Sequence, residues 1–304
     1  MKTKLIALTI AALFALSLAA GCGAPAEEPP ADDPNGEPVD EHVGEQLDWQ
    51  IQGIDPGAGL MGATFDVLDA YGLDDWELIE ASDAAMTAAL QSAYNNQEPI
   101  IVTGWTPHWK FSAYDLKYLD DPQGIYGDEE QIHTLVRQGL EDDHPSAFAF
   151  LDNFYWTPDD MNTVMLDAQD ADFETAAADW VAANSATVDE WVDGIDPVDG
   201  DSIDLAFVAW DSELASTNVV AVVLEERLGY DVIMTQLDPG AMFTAVSRGD
   251  SDAMVAAWLP TTHADYYSRF EGDFVDLGPN LDGTLIGLVV PAYMDIDSIE
   301  DLAR

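Results

Sequence analysis

From Gln50 onward, short apolar runs alternate with longer stretches that mix apolar and polar positions. Runs rich in β-branched or other apolar residues predict strands at 51–54, 100–102, 205–209, 255–257 and 287–290. The mixed stretches predict one helix over 60–71 and another that follows Trp210 and runs through Glu225. Strands that alternate with helices favour an α/β protein.

The middle of the chain has a different pattern, and we expect residues 128–193 to be mostly helical. One helix start is marked by Trp156-Thr157-Pro158, in which Thr157 suits the N-cap position and Pro158 suits the first helical position. Residues 194–201 are rich in turn-forming residues and predict a link to the next strand.

Two parts of the chain repeat one order of elements. Each is predicted to run strand, turn, helix, strand, helix, strand, and each ends in Trp, Pro and His, as Trp105-Thr106-Pro107-His108 and as Trp258-Leu259-Pro260-Thr261-Thr262-His263. Loops after parallel strands open on one edge of a sheet, where ligands bind, so two such units facing each other would form a cleft. Chance similarity between two short stretches is the alternative.

The first 48 residues form a region of their own. Lys2 and Lys4 precede an apolar run over 5–20 that is too short to span a bilayer, followed by Gly21 and Cys22. This pattern predicts a lipoprotein signal peptide over 1–21 with lipidation at Cys22, or plain secretion with a free cysteine as the alternative. Residues 22–48 predict an extended acidic, proline-rich tether, since 24–48 hold five prolines, nine acids and no Lys or Arg.

The charge of the chain is strongly negative, with 59 Asp and Glu against 9 Lys and Arg and a net charge of −50. Such a surface repels phosphate backbones, so we expect no nucleic-acid partner. Self-repulsion of this size is best tolerated where salt screens it, which indicates a salt-loving organism, with an ordinary acidic exported protein as the alternative.

The single cysteine excludes intramolecular disulfides and multi-cysteine zinc sites, and we predict no metal and no cofactor.

Three tryptophans follow predicted strands: Trp105, Trp210 and Trp258. A single tryptophan usually belongs to a hydrophobic core. Three at equivalent positions instead suggest a box of indole faces that attracts a cation through its π-electrons. A quaternary ammonium fits such a box because it has no N–H group to donate.

An anion site is also available. The turn from Asp55 to Leu60 leads into a helix whose first backbone N–H groups, at Gly59 and Leu60, favour a carboxylate. His263, five residues after Trp258, can donate to the same carboxylate, although a purely structural histidine remains the alternative. A cation box and an anion site together describe a small zwitterionic ligand.

The chain resembles the glycine betaine-binding lipoproteins of ABC importers over nearly all of residues 50–304. The resemblance rests on six stretches: Gly53 to Met61, Val102 to Trp109, Tyr114 to Pro122, Ala209 to Asn218, Ala257 to Asp265 and Gly287 to Pro291. It implies that Trp105, Trp210 and Trp258 form the ammonium box. It also implies that the Gly59 and Leu60 amides and His263 take the carboxylate of glycine betaine or proline betaine.

The resemblance further implies an α/β, two-lobed periplasmic-binding-protein fold, type II-like, with the ligand in the cleft between the lobes. We expect one lobe at 49–110 plus 292–304 and the other at 111–291. The implied partners are an ABC permease and its ATPase subunit, and the implied location is extracytoplasmic, with the membrane reached only through a lipid anchor at Cys22.

Two other classes of function are alternatives to a binding protein. An enzyme would need catalytic groups, and the sequence has no Gly-x-Ser-x-Gly, His-Glu-x-x-His or phosphate-binding glycine loop. Acidic pairs such as Asp142-Asp143 could suggest a glycosidase, but they are expected by chance among 59 acids, so we predict no catalytic residues. A sensory or structural surface lipoprotein is the third class.

Overall fold

The computed structural model of the protein describes residues 42–304, which contain nine strands and twelve α-helices. The strands are β1 (Gln50–Gln52), β2 (Glu77–Ile79), β3 (Val102–Thr106), β4 (Leu116–Tyr118), β5 (Glu130–Arg137), β6 (Ser202–Phe207), β7 (Asp231–Gln236), β8 (Ala253–Leu259) and β9 (Phe274–Pro291). The helices are α1 (Val43–Gln46), α2 (Gly59–Ala70), α3 (Asp83–Asn96), α4 (Lys110–Ala113), α5 (Leu140–Asp143), α6 (Pro145–Asn153), α7 (Pro158–Asp167), α8 (Phe173–Ala183), α9 (Ser185–Trp191), α10 (Asp211–Glu226), α11 (Pro239–Arg248) and α12 (Ala264–Arg269), and a 3-10 helix spans Ile299–Leu302. The predicted signal peptide, Cys22 and the tether up to residue 41 lie outside the described residues.

Strand pairing divides these residues into two lobes that share β9. In lobe A, β1 pairs in parallel with β2 and β3, while β3 and β4 pair antiparallel with the second part of β9, from Leu285 to Pro291. In lobe B, β6 pairs in parallel with β7 and β8, while β5 pairs antiparallel with β8 and with the first part of β9, from Phe274 to Thr284. The α/β class is confirmed, with a mixed rather than all-parallel sheet.

The predicted internal repeat is confirmed by the order of elements. Lobe A begins β1–α2–β2–α3–β3 and lobe B contains β6–α10–β7–α11–β8. In each set the first strand lies between the other two, giving the orders β2-β1-β3 and β7-β6-β8. The first βα turn and the last strand of each set therefore occupy equivalent places at the carboxyl edge of their sheets.

The crossings between the lobes bear on the predicted lobe limits of 110 and 291. β4 pairs with residues 289–291 of β9, so the chain is still in lobe A at Tyr118. It has entered lobe B by Glu130, which opposes Thr284 of β9. The pairing therefore favours a first crossing between Tyr118 and Glu130 and a return within β9. The predicted limits themselves stay a prediction.

The expectation of a mostly helical middle needs one correction, because that range begins with the eight-residue strand β5. β5 lies between β8 and β9 in the sheet, and Ile132, Leu135 and Val136 are fully buried there. Polar residues such as Gln131 and His133 interrupt the apolar positions of β5, so the sequence pattern did not predict a strand there. The rest of the range is helical, and α7 begins as predicted: Thr157 is the N-cap, forms a capping box with Asp160, and is followed by Pro158.

The folded region starts before the predicted end of the tether. His42 stacks on Trp49 and its Nε2 atom lies 2.9 Å from the Ala303 carbonyl oxygen, while the Arg304 guanidinium lies over the Trp49 ring. Trp49 also contacts Trp76 edge to face. These contacts attach residues 42–49 to the C-terminal end of the chain.

An aromatic cluster in lobe B joins side chains from α8, α9 and the segment between α6 and α7. Trp180 stacks on Trp191, and Phe154 contacts both Trp156 and Trp191. All four side chains are buried against one another and none lines the cavity between the lobes, so this cluster is core rather than ligand site. Within the described residues, no helix is long and apolar enough to cross a membrane.

Candidate ligand-binding site

A cavity lies between the lobes, and it contains about 330 Å³ of atom-free space with its mouth included. Both lobes contribute to its wall. The lining residues are Ile54, Ala58, Gly59, Leu60, Trp105 and Ile286 from lobe A and Trp210, Ser212, Trp258, Thr262 and His263 from lobe B. All six residues that the sequence proposed as ligand contacts are therefore brought to one cavity.

Of the three predicted box tryptophans, two lie in strands and one lies at the start of a helix. Trp105 lies in β3 and Trp258 in β8, each near the carboxyl end of its strand, whereas Trp210 is the N-cap residue of α10. Each is only 4–6% exposed although it borders a cavity. Trp105 and Trp258 end equivalent strands of the internal repeat, which explains why similar motifs carry them.

The indole N–H groups of two box residues bond across the cleft. Trp105 Nε1 of lobe A donates to Ser212 Oγ of lobe B at 3.2 Å. Trp210 Nε1 of lobe B donates to Asp55 Oδ2 of lobe A at 2.9 Å. Two of the three predicted box indoles are therefore oriented by groups of the opposite lobe.

The start of α2 supplies backbone donors to the cavity. Ala58 is the N-cap residue and provides no side-chain cap, so the first N–H groups of α2, at Gly59 and Leu60, have no acceptor within the helix. These groups carry the partial positive charge of the helix N-terminus. They suit a carboxylate at this end of the cavity.

His263 lies beside these donors with one free ring nitrogen. Its Nδ1 atom accepts a hydrogen bond from the Trp258 backbone N–H at 3.0 Å, whereas its buried Nε2 atom has no partner among the described residues. Burial lowers the pKa of His263 to about 4, so the ring is neutral at physiological pH. A neutral ring that accepts at Nδ1 must carry its hydrogen on Nε2, which makes Nε2–H a donor.

The turn that precedes His263 is held by a buried carboxylate and touches the start of α2. Glu130 accepts hydrogen bonds from the backbone N–H groups of Thr261 and Thr262, at 2.5 and 2.7 Å, and from the Thr262 hydroxyl. The Thr262 carbonyl oxygen lies so close to Gly59 that a Cβ atom on Gly59 would be 1.9 Å from it. Glycine at this position therefore permits the close approach of the two lobes at Thr262.

A second polar cluster joins the lobes behind Trp105. Asp83 accepts from the Asp211 backbone N–H at 3.1 Å, and Asp211 accepts from Trp109 Nε1 at 2.6 Å. Lys110 is fully buried, and its Nζ atom lies 4.2 Å from the centroid of the Trp105 ring. Burial lowers the pKa of Lys110 to about 8, and burial together with the charge of Asp83 raises the pKa of Asp211 to about 6.

This cluster contains the one group of possible metal ligands in residues 42–304, namely Asp83, His108 and Asp211, whose ligand atoms lie within 4.8 Å of one another. Lys110 interacts electrostatically with both carboxylates and already supplies a cation to them. Burial lowers the pKa of His108 to about 4, which keeps the histidine neutral. We therefore interpret the cluster as an internal ion network between the lobes and assign no metal to it.

Sequence reasoning did not identify five of the lining residues. Ser212 is the most polar of them, and its signal was its place directly after Trp210-Asp211, on the first turn of α10. Ile54, Ala58, Thr262 and Ile286 line the cavity through the fold alone. The apolar side chains of Ile54, Ala58 and Ile286 carry no pattern that separates them from core residues, and Thr262 is one of two adjacent threonines in a turn.

A cavity between two α/β lobes, with indoles from both lobes and unpaired donors at one end, defines a solute-binding protein. The family model described as "Substrate binding domain of ABC-type glycine betaine transport system" matches residues 32–183 and 201–304. The chain is also 49% identical to the glycine betaine/carnitine transport binding protein GbuC of Listeria monocytogenes, over 99% of each chain. The protein belongs to this family of ABC transport substrate-binding proteins, which function outside the cytoplasm.

Solved structures include similar chains. Lactococcal OpuAC, in its closed conformation with glycine betaine, is 46% identical with a TM-score of 0.47, over 49% of this chain and 59% of that one. An ABC-transporter choline-binding protein in complex with choline is 25% identical with a TM-score of 0.44, over 50% of this chain and 55% of that one. In both cases the alignment spans little more than half of the solved chain.

Proposed function

We propose that this protein captures glycine betaine, or a closely related quaternary-ammonium zwitterion, and delivers it to an ABC permease. The observation that carries the proposal is one cavity lined by Trp105, Trp210 and Trp258 together with the start of α2 and His263. The trimethylammonium group would lie among the three indoles, and the carboxylate would lie at the helix start.

The cation end is supported by the chemistry of its wall. Indole faces attract a cation without a hydrogen bond, and each contact contributes roughly 0.5–2 kcal/mol where water is excluded. The tryptophans are almost fully buried, so the contacts would be at the strong end of that range. Methyl groups of the ligand would also replace water against apolar surface.

The anion end is supported by three donors that have no acceptor among residues 42–304. The N–H groups of Gly59 and Leu60 and the Nε2–H group of His263 lie on the cavity wall. A buried donor left unpaired costs about 1–3 kcal/mol, so a ligand carboxylate that satisfies it gains affinity. Choline offers a hydroxyl group in place of this carboxylate and should bind much more weakly.

The partners follow from the same proposal. Closure of lobes A and B on the ligand would signal to a permease that the binding protein carries its ligand. An ATPase subunit would supply the energy for transport through that permease. A lipid on Cys22, after removal of residues 1–21, and a tether over 22–48 would keep the binding protein at the outer face of the membrane. The net charge of −50 supports a setting with high salt.

Calorimetry tests the proposal directly. Purified protein in high salt is titrated with glycine betaine, proline betaine, carnitine and choline under one set of conditions. We expect saturable binding of glycine betaine and at least tenfold weaker binding of choline. Equal affinity for choline would contradict the assignment of Gly59, Leu60 and His263 to the ligand carboxylate. The absence of binding for every betaine would overturn the proposed function. The order of the three zwitterions identifies the preferred ligand.

A further inference from the structure

Asp55 and Trp210 form a hydrogen bond across the cleft that the binding chemistry described above does not require. Asp55 follows β1 in lobe A, and Trp210 precedes α10 in lobe B. The indole Nε1 atom donates to the carboxylate oxygen Oδ2 at 2.9 Å. A hydrogen bond to a carboxylate is shorter and stronger than one between neutral groups, so it fixes the plane of the indole well.

Asp55 has no salt-bridge partner among residues 42–304. Its side chain is half-buried beside the cavity. A carboxylate that accepts an indole N–H group also pushes electron density into the ring, since hydrogen-bonded groups polarise one another. The face of Trp210 should therefore attract a cation more strongly than the face of an isolated indole.

Trp105 has the opposite environment. Its N–H group donates to the neutral hydroxyl of Ser212 at 3.2 Å, and the ammonium group of Lys110 lies 4.2 Å from its ring centroid. Lys110 does not line the cavity, so it acts on this indole without contacting a ligand. A cation already placed on a ring weakens the attraction of that ring for a second cation. The walls of the box are therefore electrostatically unequal.

We propose that Asp55 is a positioning residue that strengthens capture of the ligand ammonium group by acting through the indole of Trp210, which makes Trp210 a stronger wall of the box than Trp105. This inference rests on the proposed function, because it needs a ligand with a quaternary ammonium group. Asp55 itself is not among the residues that line the cavity.

The test is a double-mutant cycle of Asp55→Asn and Trp210→Phe, with glycine betaine as the ligand and calorimetry as the readout. Asparagine keeps an oxygen that can accept the indole N–H and removes only the charge. Phenylalanine keeps an aromatic face and removes the N–H. We expect Asp55→Asn to weaken binding about tenfold in the wild-type chain and less than about twofold when residue 210 is phenylalanine.

The matched control is Asp69→Asn, on the exposed side of α2, which removes the same charge and should leave the affinity unchanged. Equal losses from Asp55→Asn in both backgrounds would mean that the carboxylate acts on the ligand without the indole, and this would overturn the proposal. No loss in the wild-type background would overturn it as well.

A second comparison leaves Asp55 in place, so it holds even if Asp55→Asn fails to fold. Trp210→Phe should weaken glycine betaine binding at least threefold more than Trp105→Phe, because only Trp210 has a carboxylate on its N–H group. Equal losses, or a larger loss at Trp105, would contradict the inference. Failure of the wild-type protein to bind glycine betaine would instead overturn the proposed function, so the two failures are distinguishable.

Discussion

The Nδ1 atom of His263 accepts a hydrogen bond from the backbone N–H group of Trp258, five residues earlier, at 3.0 Å. This bond determines the tautomer of the histidine, because a nitrogen that accepts cannot carry the proton. It also links the two ends of the proposed site, since Trp258 belongs to the proposed cation box and His263 to the proposed carboxylate site. A change in the turn between them would move both.

The first prediction concerns this histidine. His263→Ala should weaken glycine betaine binding by about ten- to a hundredfold, because a hydrogen bond to a charged carboxylate contributes about 1.5–3 kcal/mol. Calorimetry with glycine betaine and choline measures it, and the weak binding of choline should change much less. A parallel loss for both ligands would show that His263 acts only by holding the turn.

The second prediction concerns the three tryptophans. Alanine at position 105, 210 or 258 should weaken glycine betaine binding tenfold or more, because a cation–π contact worth up to about 2 kcal/mol is lost. Circular dichroism should show that each variant remains folded.

The control for the box is Trp180, which is buried in the aromatic cluster of lobe B and does not line the cavity. Trp180→Ala should lower the melting temperature, since removing a buried aromatic side chain costs about 3–5 kcal/mol, and leave the affinity of the folded protein unchanged. Unchanged affinity in two of the three box variants would mean that those indoles are core.

The third prediction tests how closely the lobes approach. Gly59→Ala should greatly reduce ligand affinity, because its Cβ atom would lie 1.9 Å from the Thr262 carbonyl oxygen of the other lobe. Gly62→Ala, one turn further along α2, is the matched control, since a Cβ atom there meets nothing within 4 Å. The control should keep its affinity and stabilise the helix by roughly 0.5–1 kcal/mol. Similar affinities for both variants would contradict the observed closure.

The fourth prediction concerns Glu213, which is fully buried on α10 and accepts a hydrogen bond from the Val208 N–H group at 2.8 Å. Burial raises the pKa of Glu213 to about 8 from its ordinary value of 4.5. Between pH 4.5 and about pH 8, the folded protein therefore keeps a proton on Glu213 that the unfolded chain has already lost. Stability from this group is complete below pH 4.5 and is lost as the pH rises through about 8.

Thermal melts from pH 5 to pH 9 measure this effect. The wild-type melting temperature should fall relative to that of Glu213→Gln, which mimics the protonated side chain and cannot ionise. Glu226→Gln, at an exposed position of the same helix, should follow the wild-type curve. Parallel curves for wild type and Glu213→Gln would mean that this carboxyl does not change its protonation on folding.

The fifth prediction follows from the net charge of −50. The Debye length is about 10 Å at 0.1 M salt and about 3 Å at 1 M, so added salt should screen repulsion among the acidic residues. The melting temperature should therefore rise with salt, and NaCl and KCl should act alike at equal concentration. A melting temperature that stays constant from 0.1 to 3 M would contradict this account.

The sequence alone predicted the main helices and strands of the fold and the candidate residues of the site. β-Branched runs and amphipathic stretches are local patterns, so they identified α2, α10, β8 and the repeated order of elements. Paired motifs ending in Trp, Pro and His identified Trp105, Trp258 and His263 because residue types with special chemistry stand out in any chain. Strand β5 was not predicted, because polar residues interrupt its apolar positions. Its place between β8 and β9 in the sheet depends on the tertiary structure and leaves no local pattern.

The tertiary structure alone decided how the parts meet. Asp55 and Trp210 are 155 positions apart, and Trp105 and Ser212 are 107 apart, yet both pairs bond across the cleft. The contact of Gly59 with Thr262 likewise arises from packing between the lobes. Local sequence cannot encode such contacts, because they depend on the relative placement of two sheets that share only β9.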